Sequence, residues 1–230
     1  MMDRAWSDRD EAMAAELASL ARSNLYQRPI TLAGFMGVGK STLGLLLSEV
    51  LERPFYDTDG YVEEATGRTV DSFFPTDEPE FRRHEADAIV ALLGRGPSVI
   101  ALGGGALLND RSRALLRAES LLVHLHVPWR DLRHHVPSMI ASRPLLRGKT
   151  MAEIHRLYLI RLATYRQSSL RVTVGREGAA AAAADVLRTL RALEPQRGRN
   201  ESATPRRVTA VREALTKAHS LDDVEAERTV

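Results

Sequence analysis

Apolar residues along this chain come in short runs, separated by stretches whose apolar positions repeat at helical spacing. Five runs read as strands: Pro29-Ile-Thr-Leu-Ala33, Phe55-Tyr56-Asp57, Ser98-Val-Ile-Ala-Leu102, Leu121 to Val127, and Arg171-Val-Thr-Val174. Between them lie helical patterns, the clearest from Ser41 to Leu51, which Arg53-Pro54 breaks. Strands that alternate with helices in this way predict a five-stranded parallel sheet covered by helices on both faces.

The ends of the chain follow a different pattern. Asp10 to Arg22 is rich in helix formers, with Met13, Leu17 and Leu20 on one face, and predicts an appended helix. The alanine run Ala179 to Ala184 continues through Val186, Leu187 and Leu190 as a last helix ending near Pro195. From Pro195 to Pro205 the composition turns to Gln, Arg, Gly, Asn, Ser and Pro, as in a linker. A short amphipathic helix through Val208, Val211, Leu215 and Ala218 and a solvated, mixed-charge tail are expected after it. The organisation is therefore read as a helical extension over 1–28, one α/β domain over 29–194, and a linker with a charged C-terminal extension over 195–230.

Composition narrows the function classes. At 44% apolar residues the 230-residue chain can bury one domain's core. No run approaches the roughly 18 apolar residues of a membrane span, and the acids from Asp3 to Glu16 do not resemble a secretion signal. The absence of cysteine excludes disulfides, thiolate nucleophiles and Cys-ligated zinc. Thirty-two basic residues against thirty acidic ones leave a formal charge of +2, which is no nucleic-acid footprint. A cytoplasmic monomer acting on a small molecule, with no nucleic-acid or membrane partner, is the expectation.

The strongest chemical signal is Gly34-Phe-Met-Gly-Val-Gly-Lys40-Ser41, which matches G-x-x-x-x-G-K-[ST] between a predicted strand and a predicted helix. A triphosphate needs inward-pointing backbone N–H groups, which glycines allow to come close, and the positive end of a helix. Lys40 then reaches the β and γ oxygens, and the Ser41 hydroxyl ligates Mg²⁺. Gly34, Met36, Gly37, Val38, Gly39, Lys40, Ser41 and Thr42 are the residues expected against ATP. After the second strand, Asp57-Thr58-Asp59 offers two carboxylates that strand alternation places on one side of the sheet's carboxyl edge. One can hold the Mg²⁺ hydration shell, and the other can take the proton of an attacking hydroxyl. Loop-capping aspartates are the plain alternative.

These residues, together with Phe81-Arg82-Arg83-His84-Glu85, Gly103-Gly104-Gly105 and Arg143-Pro-Leu-Leu146, closely resemble the shikimate kinase family over about residues 28 to 193. The resemblance implies a P-loop kinase three-layer α/β/α sandwich with a mobile lid, and transfer of the ATP γ-phosphate to the 3-hydroxyl of shikimate in aromatic amino-acid synthesis. It implies Asp57 near the metal, Asp59 as base on the shikimate hydroxyl, and Arg82 on the shikimate carboxylate. Glu85, one turn from Arg82, can hold that guanidinium in place. By the same resemblance Gly103, Gly104 and Gly105 line the acceptor pocket, Arg143 closes over the ATP phosphates, and Arg161 helps bind the carboxylate. The catalytic set so assigned is Asp59, Lys40 and Arg143.

Two departures from the family pattern stand out. Ala163-Thr164-Tyr165 replaces the Pro-Leu-Tyr often found there, and the arginine expected beside adenine falls near His135, with Arg133 two residues away. Val70, Phe73 and Phe74 are candidates for either pocket wall or core. His124 and His126 share one strand face and read as packed histidines in preference to metal ligands, and His84 is a bystander. The alternative functions are another small-metabolite kinase, such as a gluconate kinase, and a non-catalytic ligand sensor of similar fold. Phe81-Arg82, the glycine triplet and Arg143-Pro144 count against the first, and intact Lys40, Ser41 and Asp59 against the second.

Overall fold

The computed structural model describes residues 7–20, 27–74, 76–175, 178–193 and 209–218. Helix α1 (Asp8–Leu20) precedes strand β1 (Ile30–Ala33), and a glycine-rich loop leads into α2 (Lys40–Leu51). Strand β2 (Phe55–Asp57) runs straight into α3 (Thr58–Thr66), followed by a 3-10 turn at Val70–Phe73 and α4 (Glu78–Leu93). Strand β3 (Val99–Ala101), a turn at Ala106–Leu108, α5 (Asp110–Glu119) and β4 (Leu121–His126) come next. Short helices α6 (Trp129–Leu132) and α7 (Val136–Ser142), a turn at Pro144–Leu146, α8 (Met151–Tyr165), β5 (Leu170–Thr173) and α9 (Gly178–Ala192) follow. A further helix covers residues 209–218.

All five strands are parallel, in the order β2-β3-β1-β4-β5. This is the P-loop kinase α/β arrangement expected from the alternating pattern, with strand ends within about a residue of those read from sequence. The inner strands β1, β3 and β4 are buried throughout, whereas the edge strands β2 and β5 are only partly covered. That is why the inner runs are continuously apolar and do not alternate. Helix α2 packs with α9, and α4 with α5, while α4, α5 and α8 all meet the turn at Ala106–Leu108. Reversal of strand order on either side of β1 opens a crevice at the carboxyl ends of β1, β3 and β4, where a ligand can enter.

Helix α1 packs on α9, and Ala14, Leu17 and Ala18 are fully buried. It begins at Asp8, earlier than read from sequence, because Ser7 accepts from the Asp10 amide at 3.3 Å and donates to the Asp10 carboxylate at 2.6 Å. Ala21 and Arg22 lie outside the described residues. The 209–218 helix also joins the domain: Val211 and Leu215 are each 1% exposed. Lys217 pairs with Glu49 of α2 at 2.8 Å, and Arg212 with Glu11 of α1 at 3.2 Å. Val208, the linker over 195–205 and the tail beyond 218 lie outside the described residues. Among the described residues no helix is long and apolar enough to cross a membrane.

Candidate active site

The loop after β1 turns sharply at Gly37 (φ 72°) and Gly39 (φ 82°), a left-handed backbone that suits glycine. Gly39 caps α2 without a side-chain acceptor, so the first amides of that helix stay directed at the loop. Lys40 lies back across the loop and donates to the carbonyls of Gly34 and Phe35, both at 3.1 Å. Burial, against the attraction of Asp59 and with Arg143 adding repulsion, lowers its ammonium to about 8. Ser41 Oγ donates to Asp57 Oδ2 at 3.1 Å, so the two expected metal-side groups meet.

The two aspartates reach the site by a route other than strand alternation. β2 ends at Asp57 and α3 starts at Thr58, so Asp57 is a helix N-cap accepting from the amides of Asp59 (2.9 Å) and Gly60 (3.4 Å). Asp59 sits in the first turn of α3, and the helix geometry turns it into the pocket that Asp57 also lines. Burial first, then the Asp57 and Glu85 carboxylates, pushes Asp59 up to about 6.

Arg82 on α4 donates to Glu85 at 2.8 Å and to Glu78 at 2.9 and 3.2 Å, so the same-face pairing read from the sequence is present. Glu85 is buried, and burial, opposed by Arg82, raises its pKa. Arg161 on α8 is 2% exposed, and its Nε and Nη1 find no hydrogen-bond partner among the described residues. Asp59 Oδ1 and Glu85 Oε1 are likewise buried and unpartnered. Buried polar atoms without partners are costly in a stable fold, and four of them meeting at one crevice mark a place shaped for a polar ligand.

The glycine triplet has a reason that sequence could not supply. A Cβ on Gly103 would collide with Glu85 Oε1 and lie 2.6 Å from Asp59 Oδ1. One on Gly104 would lie 3.0 Å from Arg161 Nη1, and one on Gly105 would overlap the Arg82 guanidinium, 2.6 Å from its Cζ. The close approach is to the protein's own charged side chains, which line the same pocket and leave no room for a Cβ on the loop.

A single pocket is lined by Met36, Gly37, Gly39, Lys40, Ser41 and Thr42 of the loop and helix start, by Asp57 and Asp59, and by Arg82, Gly104, Gly105, Arg143 and Arg161. Three expected residues lie off its wall. The position of Gly34 under the loop is packed against Leu125 O and Val38, the Val38 side chain is buried in the main core, and Gly103 is shielded by Asp59 and Glu85. Val70 and Phe74 line the pocket, while Phe73 is fully buried with Val62, Phe81 and Ala88. Sequence reasoning assigned no pocket role to Phe81, Leu102 and Leu145, which also line it. Each lies within or beside one of the motifs, and that adjacency was the available signal.

His124 and His126 are buried with ring centroids 5.6 Å apart, and His124 lies 5.1 Å from the Tyr165 ring. Burial first, then His126, lowers His124 to about 4, which keeps it neutral. Arg133 and His135 are exposed and do not line the pocket, while Trp129 stacks on His155 at 4.4 Å.

Comparison with known proteins bears on this geometry. The family model for shikimate kinase matches residues 36–191. A shikimate kinase of Caulobacter vibrioides is 39% identical over 153 residues, 66% of this chain and 76% of its own. One from Geobacillus kaustophilus is 32% identical over 170 residues, 73% of this chain and 90% of its own. Among solved structures, the shikimate kinase of Acinetobacter baumannii in complex with shikimate superposes with TM-score 0.70 at 28% identity, covering 76% of this chain and 99% of that one. The Bacteroides thetaiotaomicron shikimate kinase gives TM-score 0.64 at 27% identity, covering 72% and 99%. With the matched region taking in the phosphate loop from Met36 onward, the aspartates, Arg82, the glycine triplet and Arg161, the chain belongs to the shikimate kinase family.

Proposed function

We propose that this protein transfers the γ-phosphate of ATP to the 3-hydroxyl of shikimate, releasing ADP and shikimate 3-phosphate. The observation that carries the reading is the convergence, in one pocket, of a phosphate loop with the unpartnered donors of Arg161 and the unpartnered oxygen of Asp59. A phosphate loop binds the triphosphate; a guanidinium suits a carboxylate; a carboxylate suits a hydroxyl. Shikimate carries the carboxylate and hydroxyls that this set would satisfy together.

In this scheme the amides of the loop from Gly34 to Thr42 and the Lys40 ammonium hold the β and γ oxygens. Lys40 leaves the carbonyls of Gly34 and Phe35 for them, an exchange of neutral acceptors for charged ones. Arg82 and Arg161 bind the acceptor carboxylate, which fixes the ring so that one hydroxyl faces Asp59. That hydroxyl oxygen forms the new bond to the γ phosphorus as the bond to the β–γ bridging oxygen breaks. Its proton passes to Asp59 and then to solvent, and the electron pair leaves with ADP. Arg143 from the lid side lies over the phosphates and offsets charge on the transferring group.

The Ser41 hydroxyl beside the Asp57 carboxylate is the oxygen chemistry a Mg²⁺ takes, with most of its shell left to water and phosphate. When bound there, Mg²⁺ supplies positive charge to the β and γ oxygens. The enzyme is taken to act in the cytoplasm. ADP release with Mg²⁺-ATP, compared across shikimate, quinate, gluconate and no acceptor, tests the proposal: release should depend on shikimate, and equal release with and without it overturns the assignment.

A further inference from the structure

Three successive peptide planes of the Gly103–Gly105 loop are each held by one hydrogen bond from a different source. Thr58 Oγ1 accepts from the Gly103 amide at 2.8 Å. The Gly103 carbonyl accepts from the Ala106 amide at 3.1 Å, and the Gly104 carbonyl from the Tyr165 hydroxyl at 2.6 Å. Two of these holders are side chains remote from the loop in sequence. Thr58 is the buried middle residue of Asp57-Thr58-Asp59, and Tyr165 lies one helical turn beyond Arg161 on α8.

The consequence follows from peptide planarity. In a trans peptide the N–H points opposite to the C=O. A Gly104 carbonyl held toward Tyr165 turns the Gly105 amide away from it, and a Gly103 carbonyl held toward Ala106 does the same for the Gly104 amide. Gly104 and Gly105 both line the pocket. Three glycines in a row have little intrinsic preference for one orientation, so the orientation must be imposed from outside the loop. Tyr165 is suited to impose it, because it is buried, its hydroxyl is pushed up to about 12 mainly by burial, and its ring packs against His124.

We propose that Thr58 and Tyr165 are positioning residues for phosphoryl transfer, a two-sided clasp that sets the peptide planes of Gly103–Gly105 and presents the amides of Gly104 and Gly105 to the acceptor and the transferring phosphate. Thr58 fastens the loop to the element carrying Asp59, and Tyr165 fastens it to the helix carrying Arg161. The clasp thereby also sets the spacing between the proton acceptor and the carboxylate-binding cation. Its kinetic consequence rests on shikimate as acceptor, and its structural consequence does not.

The test uses the full chain with Tyr165→Phe, Thr58→Val and Thr58→Ser, read by steady-state kinetics and by hydrogen–deuterium exchange over residues 102–108. Loss of one buried hydrogen bond should lower shikimate kcat/KM about tenfold in Tyr165→Phe and in Thr58→Val, with the ATP KM within about twofold of wild type. Thr58→Ser keeps the acceptor oxygen and should restore activity to within about twofold. Exchange over 102–108 should speed up in Tyr165→Phe and Thr58→Val and not in Thr58→Ser. Unchanged exchange in Tyr165→Phe, or a Thr58→Ser enzyme as impaired as Thr58→Val, overturns the clasp. If Thr58→Val does not fold, Tyr165→Phe, which keeps the buried ring, decides alone. A wild type with no shikimate-dependent ADP release sinks the acceptor reading instead, and the exchange data still judge the clasp.

Discussion

Arg147 and Asp71 join two segments that each carry pocket-lining residues: Nη1 meets Oδ2 at 3.0 Å and Nη2 meets Oδ1 at 2.9 Å. Arg147 follows the segment that brings Arg143 and Leu145 to the pocket, and Asp71 stands beside Val70, which also lines it. The pair is half exposed, so its contribution is small, about 0–1 kcal/mol, and screened by salt. Asp71→Asn should raise the acceptor KM by no more than about fivefold and flatten the dependence of that KM on ionic strength. Measuring the KM for shikimate between low and high salt checks this. A variant with the wild-type salt slope would show that the pair does not tie the two segments together.

Asp59 and Arg82 serve different parts of the proposed reaction and should separate kinetically. Asp59→Asn should lower kcat by roughly 10²- to 10⁴-fold with little change in the ATP KM, the smaller figure reflecting a loose transition state that needs little base. Arg82→Ala should mainly raise the shikimate KM, since it contacts a group remote from the bond being made. An Asp59→Asn enzyme altered only in its ATP KM, or an Arg82→Ala enzyme with an unaltered shikimate KM, would mean the acceptor site is misplaced.

The raised pKa of Asp59 has consequences of definite sign. As a base it must be ionised, so kcat/KM should fall as pH drops through about 6. For folding the sign is reversed. Between the ordinary value of 3.8 and about 6 the folded state binds the proton more tightly, so ionisation of Asp59 costs stability as pH rises through that window. Asp59→Asn should therefore raise the melting temperature at pH 7, by an amount corresponding to about 2 kcal/mol or less, while lowering turnover. Differential scanning calorimetry at pH 5 and pH 7 checks it: the gain should shrink at the lower pH.

Lys40→Ala should reduce turnover by orders of magnitude while leaving cooperative melting intact. With its ammonium lowered to about 8 in the free protein, the ATP KM should rise above that pH. The folded state holds this proton less tightly than the unfolded chain, whose value is the ordinary 10.5, so the charged lysine costs stability below pH 8. A melting temperature at pH 7 well below wild type in Lys40→Ala would contradict that assignment.

Burial of Val211 and Leu215 makes the 209–218 helix part of the packed structure, so ending the chain near residue 194 removes apolar contacts. Leu215→Ala should destabilise by about 2–4 kcal/mol, read by denaturant unfolding, and leave the shikimate KM unchanged because the helix contacts α1 and the far end of α2. An unchanged unfolding midpoint would show that the extension adds nothing to the fold.

The five parallel strands, the phosphate loop and the pairing of Arg82 with Glu85 were legible in the chain, because each depends on residues close in sequence. Continuous apolar runs mark buried strands, G-x-x-x-x-G-K-S marks a strand-to-helix turn, and a three-residue interval on a helix makes two side chains neighbours. Asp57 and Asp59 were found by position but for an incomplete reason. Strand alternation does not extend to Asp59, because a helix already begins at Thr58 and a three-residue strand capped by its own last aspartate leaves no alternation to read.

What only the tertiary structure decided are relationships across long intervals. That Phe73 turns inward while Phe74 faces the pocket depends on the packing of α4 against the 3-10 turn, which local pattern does not encode. That three glycines are needed at 103–105 depends on Asp59, Arg82, Glu85 and Arg161 arriving there from three different helices. The bond from Tyr165 to the Gly104 carbonyl spans 61 positions and that from Gly103 to Thr58 spans 45. Composition and periodicity carry no information on which remote hydroxyl meets which carbonyl or amide, because that choice is made only when the sheet brings its carboxyl edge and the flanking helices together.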